Sequence, residues 1–174
     1  MRSRRLALLG ALALAAPGAA QPSTFSVHRD VEYARPQGLP QRLDLYVPDG
    51  DGPWPLLVWV HGGGWSGGDK ALNQAGAQVR QASRGFAVAS VNYRLSGVAA
   101  HPAQVHDVKA AIRWLRAHAA AYGIDPARVG IWGSSAGGHL AALVGASGGV
   151  GALEGPDNPG FSSTVSAVVD WYGP

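Results

Sequence analysis

The sequence contains no cysteine, and this absence excludes several kinds of chemistry at once. Without a thiol the chain can form no disulfide, carry no thiolate nucleophile and build no cysteine-based zinc site. Long apolar runs are also missing beyond the N-terminal region. A helix that crosses a bilayer needs about 20 apolar residues, so we expect no stable membrane insertion by an internal segment.

Charge is sparse, and its positive excess is confined to the N-terminus. The chain has 14 Lys and Arg against 11 Asp and Glu. Residues 1–20 hold Arg2, Arg4 and Arg5 but no acid. Residues 21–174 are therefore balanced at 11 charges of each sign. A balanced domain lacks the basic surface that nucleic acids require, and we expect no nucleic-acid partner.

The first 20 residues have the pattern of an export signal. A basic start is followed by the apolar run 6–16, and Gly18 and Ala20 then stand at −3 and −1 before Gln21. Small residues at those positions are typical of signal-peptide cleavage. We predict a signal peptide over 1–20 and a mature domain over 21–174, exported to the periplasm or secreted. An uncleaved membrane anchor is the alternative interpretation.

The mature sequence predicts an α/β fold. Residues 26–34 and 42–47 alternate apolar and polar side chains, which favours an antiparallel pair of edge strands. From residue 54 onward, apolar runs alternate with helical patterns, which indicates a mainly parallel central sheet with helices on both faces. The predicted buried strands are 56–60, 86–91, 129–132 and 165–171, and the predicted helices are 71–84, 102–121 and 136–146.

A Gly-x-Ser-x-Gly pattern occurs three times, around Ser66, Ser135 and Ser147. In a serine hydrolase this serine occupies a sharp turn between a buried strand and a helix. Only Ser135 has a predicted strand immediately before it and a predicted helix immediately after it. Ser66 and Ser147 are interpreted as loop serines, and Ser135 is the candidate nucleophile.

A second glycine motif, His61-Gly62-Gly63-Gly64-Trp65, follows the first predicted buried strand. Glycines allow backbone N–H groups to approach a developing oxyanion closely. The predicted donors are the N–H groups of Gly63, Gly64 and Ala136, while His61 and Gly62 support the loop. Phosphate binding is disfavoured because Asp69 stands where a P-loop requires lysine.

These motifs, together with GGDK (67–70), VNYRLS (91–96), HPAQVHDVKAAIRWL (101–115) and GIWGSSAGGHLAAL (130–143), resemble the α/β-hydrolase superfamily. The resemblance is to its carboxylesterases of the hormone-sensitive-lipase-like and feruloyl/acetyl-xylan-esterase-like groups. It implies that Ser135 is the nucleophile, that Gly63, Gly64 and Ala136 carry the oxyanion hole, and that no metal or cofactor is needed.

The sequence departs from that family in one respect. In this fold the nucleophile is followed along the chain by an acid and then by a histidine, yet His139 is the single histidine after Ser135. His139 is expected to pack within a helix, one turn beyond the nucleophile. We therefore expect residues 1–174 to be the N-terminal part of a longer enzyme. The C-terminal strands with the acid and the histidine would be missing, and these residues alone would hydrolyse esters poorly.

None of the other acids is a good candidate for the missing carboxylate. Glu154 and Asp157 lie in a loop rich in glycine and proline and are predicted to be solvated. Asp170 falls inside the last strand, whereas the catalytic acid normally follows a strand end. Asp107, Arg113 and Arg116 all lie on the predicted helix 102–121 and are predicted to be solvated surface.

The leading hypothesis is an exported carboxylesterase that forms an acyl-enzyme at Ser135. Its substrate would be a small-molecule or polysaccharide-linked ester, such as an acetyl or feruloyl ester. Two alternatives stay open: an amide or formamide hydrolase or peptidase of the same fold, and a non-catalytic binding module that has kept the fold.

Overall fold

The computed structural model describes residues 24–174, so the predicted signal peptide lies outside the described residues. The strands are β1 (Phe25–Ala34), β2 (Gln41–Pro48), β3 (Trp54–Val60), β4 (Ala87–Val91), β5 (Ile124–Ser134) and β6 (Ala167–Trp171). The α-helices are α1 (Val79–Ala82), α2 (Ala103–Ala117), α3 (Ala136–Ala146) and α4 (Gly151–Glu154), with short 3₁₀ turns at Pro36–Gly38 and Ala119–Tyr122.

The six strands form one mixed sheet in the order β1-β2-β4-β3-β5-β6. β1 pairs antiparallel with β2, and β2 pairs antiparallel with β4. The four strands β4, β3, β5 and β6 run parallel to one another. The predicted α/β class and the antiparallel leading strands are confirmed. The parallel arrangement brings the carboxyl ends of β3, β5 and β6 to one edge of the sheet, where the two glycine motifs lie.

Helices cover the two faces of the sheet unequally. On one face α2 and α3 pack against the central strands, and fully buried Ile112 and Leu115 contribute to this main core. Burying each such side chain contributes roughly 1.5–3 kcal/mol to stability. On the other face the one-turn helix α1 packs Val79 and Ala82 against Tyr46 and Val88. Within residues 24–174, no helix has the length and apolar character needed to cross a membrane.

The prediction of a helix over 71–84 is wrong, because only Val79–Ala82 is helical. The Asp69 carboxylate accepts a hydrogen bond from the Ala71 N–H at 2.7 Å, and Asn73 Oδ1 accepts one from the Ala75 N–H at 2.9 Å. Such local side-chain acceptors give the backbone an alternative to helical hydrogen bonds. This segment therefore runs as turns until α1 begins.

The strand predicted over 129–132 is longer in the structure and begins at Ile124. A local turn after Asp125 lies inside it. Pro55 pairs with Asp125 and the next residue, Leu56, pairs with Val129, so residues 126–128 loop out of the ladder. A local turn and a continuing strand therefore coexist here.

Candidate active site

Ser135 occupies the sharp turn between β5 and α3, at the carboxyl edge of the sheet. Its backbone has φ 54° and ψ −123°, and it is exposed. A non-glycine residue in this region of φ/ψ space costs roughly 1–3 kcal/mol and persists only where its surroundings enforce it. Part of that enforcement comes from β6, because the Ser135 N–H donates to the Trp171 carbonyl at 2.7 Å.

The two glycines that flank this turn are required by close backbone packing. A methyl group on Gly133 would lie 2.0 Å from the Gly137 carbonyl oxygen, and one on Gly137 would lie 2.1 Å from the Val60 oxygen. Both obstructing atoms belong to the backbone and cannot rotate away. The strand β5, the helix α3 and the end of β3 therefore meet more closely than any side chain permits.

The loop after β3 lies directly beside Ser135. A methyl group on Gly62 would be 2.8 Å from the Ser134 oxygen and 3.2 Å from the Ser135 Cβ. Gly63 and Gly64 have φ values of 116° and 59°, which favour glycine. The structure thus brings together the two glycine motifs, which lie far apart in the sequence.

The three backbone N–H groups predicted to form the oxyanion hole are free to bind an oxyanion. Among residues 24–174, the N–H groups of Gly63 and Gly64 have no hydrogen-bond partner. Ala136 is the first residue of α3, so its N–H has no carbonyl partner within the helix. The positive end of the α3 dipole lies at the same position and favours negative charge there.

His61 supports the loop from inside. Its side chain is buried, its ring stacks on Tyr93 with centroids 4.4 Å apart and planes 13° apart, and its Nδ1 lies 2.7 Å from the Gly62 carbonyl oxygen. A carbonyl can only accept, so Nδ1 carries the proton and donates. Burial lowers the pKa of His61 below its ordinary value of 6.5, which favours the neutral ring. The Nδ1 hydrogen of His61 is therefore used within the glycine loop.

The far end of the loop is anchored by Lys70. Its N–H donates to Asn92 Oδ1 at 2.7 Å, and its Nζ lies 2.7 Å from an Asp44 oxygen and 2.9 Å from an Asp30 oxygen. The Asp44 side chain is almost completely buried in the sheet. The segment between β3 and Lys70 is thus fixed to the sheet at both of its ends.

A cavity of about 330 Å³ lies between the glycine loop, through Trp65, and the helix α3, through His139 and Leu140. His139 follows Ser135 by one helical turn, and its ring meets Trp65 edge-on at 5.3 Å. Among residues 24–174, the buried Nδ1 of His139 has no hydrogen-bond partner. The cavity is lined by Trp65, Ser96, His101, Gln104, His139 and Leu140.

Ser66 and Ser147 have other surroundings. Ser66 lies in the turn of the glycine loop, where its hydroxyl donates to the Gly63 oxygen at 3.4 Å. Ser147 ends α3, and its hydroxyl donates to the Leu143 oxygen at 2.6 Å. Neither serine occupies a sharp turn that joins a strand directly to a helix.

Two predictions of solvated charge are wrong. Glu154 accepts hydrogen bonds from Lys109 at 2.9 Å, from Arg113 at 2.9 Å and from Ser163 at 2.7 Å, and both cations are buried. Lys109 and Arg113 both lie more than 40 residues before Glu154 along the chain. Sequence patterns that consider only neighbours on one helix cannot reveal them.

Asp107 is the second such case. Its side chain is fully buried and binds the Arg94 guanidinium at 2.7 and 2.8 Å. Arg94 belongs to the VNYRLS segment, which the resemblance singles out without giving it a role. Arg116 is more exposed but donates to the carbonyl oxygens of Pro126, Ser162 and Thr164. These side chains hold loops against α2.

No catalytic partner for Ser135 lies within hydrogen-bond distance of its hydroxyl in the part of the chain that is described, residues 24–174. Asp170 lies near the turn, but its Oδ1 accepts the Gly173 N–H at 2.9 Å and faces Gly138 in the first turn of α3. The same described residues contain no group of three or more His, Asp or Glu side chains that could hold a metal ion.

Comparison with known proteins gives consistent matches. The BD-FAE family model matches residues 43–174. The carboxylic ester hydrolase LipN of Mycobacterium tuberculosis is 42% identical over 100 residues, which cover 57% of this chain and 27% of LipN. The esterase LipQ of the same organism is 37% identical over 150 residues, which cover 83% of this chain and 34% of LipQ.

Solved structures agree with these matches. A truncated carbohydrate esterase from gut microbiota superposes with a TM-score of 0.78 at 35% identity, over 91% of this chain and 60% of that protein. A bifunctional GH43-CE protein of Bacteroides eggerthii superposes with a TM-score of 0.72 at 42% identity, over 85% of this chain and 21% of that protein.

The chain spans about a third of the length of the curated relatives it matches. The family match nevertheless covers most of the sequence and includes β3, β5 and both glycine motifs. With its mixed sheet and its esterase structural neighbours, this chain belongs to the BD-FAE family and has an α/β-hydrolase fold.

Proposed function

We propose that this chain carries the nucleophile and the oxyanion hole of a carboxylesterase-type serine hydrolase. One observation carries the proposal: the strained Ser135 turn lies against the Gly62–Gly64 loop, beside free backbone donors. The relatives support it, because LipN and LipC of Mycobacterium tuberculosis are named as an ester hydrolase and an esterase.

In this mechanism the Ser135 hydroxyl oxygen attacks the carbonyl carbon of the ester. The carbonyl electrons move to oxygen, and the N–H groups of Gly63, Gly64 and Ala136 stabilise the oxyanion. Collapse of the tetrahedral intermediate expels the alcohol and leaves an acyl-enzyme, which water then hydrolyses. Removing one donor of this kind typically costs roughly 10²–10³ in turnover.

The mechanism needs a group that takes the serine proton and later returns it to the leaving alcohol. His61 donates its Nδ1 hydrogen to the Gly62 oxygen, and the ring of His139 packs against Trp65. Neither residue is hydrogen-bonded to Ser135 through its ring. The proposal therefore requires a histidine and a carboxylate that lie outside residues 24–174.

The cavity between Trp65 of the glycine loop and α3 suits the acyl part of the ester. Its volume of about 330 Å³ is near the lower limit for ligand sites, which typically hold roughly 300–1,000 Å³. A short or single-ring acyl group fits such a space, whereas a polymeric alcohol does not and must remain outside. We therefore propose small-molecule or polysaccharide-linked esters as substrates, met outside the cytoplasm after export directed by residues 1–20.

The test is covalent labelling of the protein expressed from its complete reading frame. A fluorophosphonate probe should label the wild-type protein and the Ser66→Ala and Ser147→Ala variants, but not Ser135→Ala. Hydrolysis of p-nitrophenyl acetate should follow the same pattern. Labelling that survives in Ser135→Ala would reassign the nucleophile.

The same experiment separates the alternatives. Labelling at Ser135 with hydrolysis of amides or peptides but not of esters would favour an amide hydrolase or peptidase. An unlabelled, folded wild-type protein would favour a non-catalytic binding module and would overturn the proposed function.

A further inference from the structure

Tyr93 has no role in the proposed chemistry, yet its side chain is bound to the oxyanion loop. It lies two residues beyond β4 and is 3% exposed. Its hydroxyl donates to the His61 carbonyl oxygen at 3.0 Å, and its ring lies parallel to the His61 imidazole. One side chain thus holds both the backbone and the ring of the residue that opens the loop.

His61 in turn contacts the loop that carries the Gly63 and Gly64 N–H groups. The His61 Nδ1 is bonded to the Gly62 oxygen, and a methyl group on Gly68 would lie 2.5 Å from that nitrogen and 2.6 Å from that oxygen. The imidazole therefore fills the inside of the loop between Gly62 and Gly68. Gly62 in turn lies against Ser135. Any tilt of the ring would displace the loop relative to the nucleophile.

We propose that Tyr93 is a positioning residue for the oxyanion hole. Tyr93 stacks on the His61 ring and donates to the His61 carbonyl, and these two contacts fix the Gly63 and Gly64 N–H groups in the geometry that the oxyanion needs. This role rests on the proposed function. Burial raises the pKa of Tyr93 to about 12, so the hydroxyl keeps its proton at neutral pH and stays a donor.

This role predicts a specific kinetic signature. Oxyanion donors act on charge that exists only in the transition state, so a displaced loop lowers kcat while binding of the neutral ester changes little. Displacements of about 1 Å in preorganised sites can cost on the order of 10²-fold in rate. Loss of a single anchoring hydrogen bond, with the stacked ring retained, should cost on the order of 10-fold.

The experiment compares Tyr93→Phe with Ser147→Ala in the protein from the complete reading frame. Ser147 is the matched control, because it is 4% exposed, its hydroxyl also donates to a backbone oxygen, that of Leu143, at 2.6 Å, and it lies at the opposite end of α3 from Ser135. Each variant loses one buried hydrogen bond of the same type. Circular dichroism and thermal melting report on folding, and p-nitrophenyl acetate hydrolysis gives kcat and KM.

We expect kcat to fall about 10-fold in Tyr93→Phe, with KM nearly unchanged, and to stay at the wild-type level in Ser147→Ala. The affinity for phenylboronic acid, which forms a tetrahedral anionic adduct with a reactive serine, should fall in parallel with kcat. Tyr93→His keeps a planar ring, but its imidazole is too short to reach the His61 carbonyl oxygen, so its kcat should be no higher than that of Tyr93→Phe. It also replaces Tyr93→Phe in the comparison if that variant does not fold.

Wild-type kcat in a folded Tyr93→Phe variant would overturn the inference, as would an equal loss of kcat in Ser147→Ala. Ser135→Ala, measured alongside, distinguishes failure of the positioning role from failure of the proposed function. If Ser135→Ala is inactive while Tyr93→Phe is fully active, only the positioning role fails. If Ser135→Ala retains wild-type turnover, the proposed function fails and the positioning role fails with it.

Discussion

At the scale of single residues, the site depends on positions where a hydrogen atom is the largest side chain that fits. Gly137 shows this best, because a methyl group there would lie 2.1 Å from the Val60 oxygen and 2.5 Å from the His61 oxygen. The first oxygen belongs to the last residue of β3, and the second belongs to the first residue of the oxyanion loop. The glycine therefore sets the distance between that loop and α3, in addition to allowing the turn at Ser135.

Gly137→Ala should disrupt both stability and reactivity. Overpacking of this severity destabilises by about 3 kcal/mol, which corresponds to a fall in Tm of roughly 6–12 °C for a domain of this size. Fluorophosphonate labelling of Ser135 should slow by about 100-fold, because α3 is pushed away from the loop. Melting followed by fluorescence and timed labelling provide the two measurements.

Gly151→Ala is the matched control for this change. Gly151 also begins a helical segment, but a methyl group there has no neighbour within 4 Å. Its Tm should stay the same or rise slightly, because alanine favours helix more than glycine does, and its labelling rate should stay at the wild-type value. Equal behaviour of the two variants would show that the packing distance at Gly137 is unimportant.

The residue scale also shows what the sequence could and could not reveal. The position of Ser135 between a strand and a helix is predictable, because the apolar run, the glycines and the helical pattern are all local. The contact between Tyr93 and His61 is not predictable, because it joins residues 32 positions apart through side-chain geometry that no periodicity records. The segment VNYRLS marked the right region without giving a physical reason.

At the scale of elements, a buried ionic cluster fixes the loop after α3 onto α2. Lys109 is completely buried and Arg113 nearly so, and both bind Glu154 of the short helix α4 at 2.9 Å. Burial opposes ionisation of Glu154, but hydrogen bonds from Lys109, Ser163 and the Gly149 N–H lower its pKa below the ordinary 4.5. Two cations share this one carboxylate, so its removal leaves both without their charge partner.

Glu154→Gln should therefore destabilise the protein by about 3 kcal/mol, measured by urea unfolding. The double variant Lys109→Met/Glu154→Gln should recover much of this loss, because it removes one of the buried charges. A double variant no more stable than Glu154→Gln would show that the effect does not arise from an uncompensated charge on Lys109.

The pH dependence provides an independent check on Glu154. A carboxyl group whose pKa is lowered by folding stabilises the folded state above its unfolded pKa, and that contribution is lost as the pH falls through the folded pKa. The free energy of unfolding of the wild-type protein should decrease below about pH 4.5 more steeply than that of Glu154→Gln. Parallel curves for the two proteins would contradict this assignment.

Among the elements, prediction succeeded where one periodicity dominated. Helix α3 has the predicted limits, 136–146, because its strand, turn and helix signals agree. The helix predicted over 71–84 shrank to one turn, since Asp69 and Asn73 capture backbone N–H groups that a helix would have used. The ionic cluster was missed because its members are distant in sequence and look like ordinary surface charge.

At the scale of the whole molecule, the second face of the sheet is only partly covered. Trp59, Trp132 and Trp171 meet edge to face across β3, β5 and β6 at centroid distances of 5.0 and 4.5 Å. Next to them an apolar groove of about 270 Å³ is lined by Leu57, Gln81, Phe86, Trp132, Val169 and Trp171. Within the sheet formed by residues 24–174, β6 is an edge strand, and all five of its residues are exposed.

An open apolar face next to an unpaired strand edge favours association between copies of a chain. Little repulsion opposes it here, since residues 21–174 carry 11 charges of each sign. We expect a protein limited to residues 21–174 to self-associate at micromolar concentrations, and Val169→Lys to reduce this association by placing a charge in the groove. Light scattering coupled to size-exclusion chromatography measures the mass of each form.

Val150→Lys separates the effect of position from the effect of added charge. Val150 is 46% exposed and Val169 is 42% exposed, but Val150 lies in the loop after α3, away from the groove. If the open face causes association, Val150→Lys should associate as the wild type does, while Val169→Lys shifts toward the monomer mass. Equal shifts in both variants would attribute the effect to net charge, and a monomeric wild type would show that this face does not drive self-association.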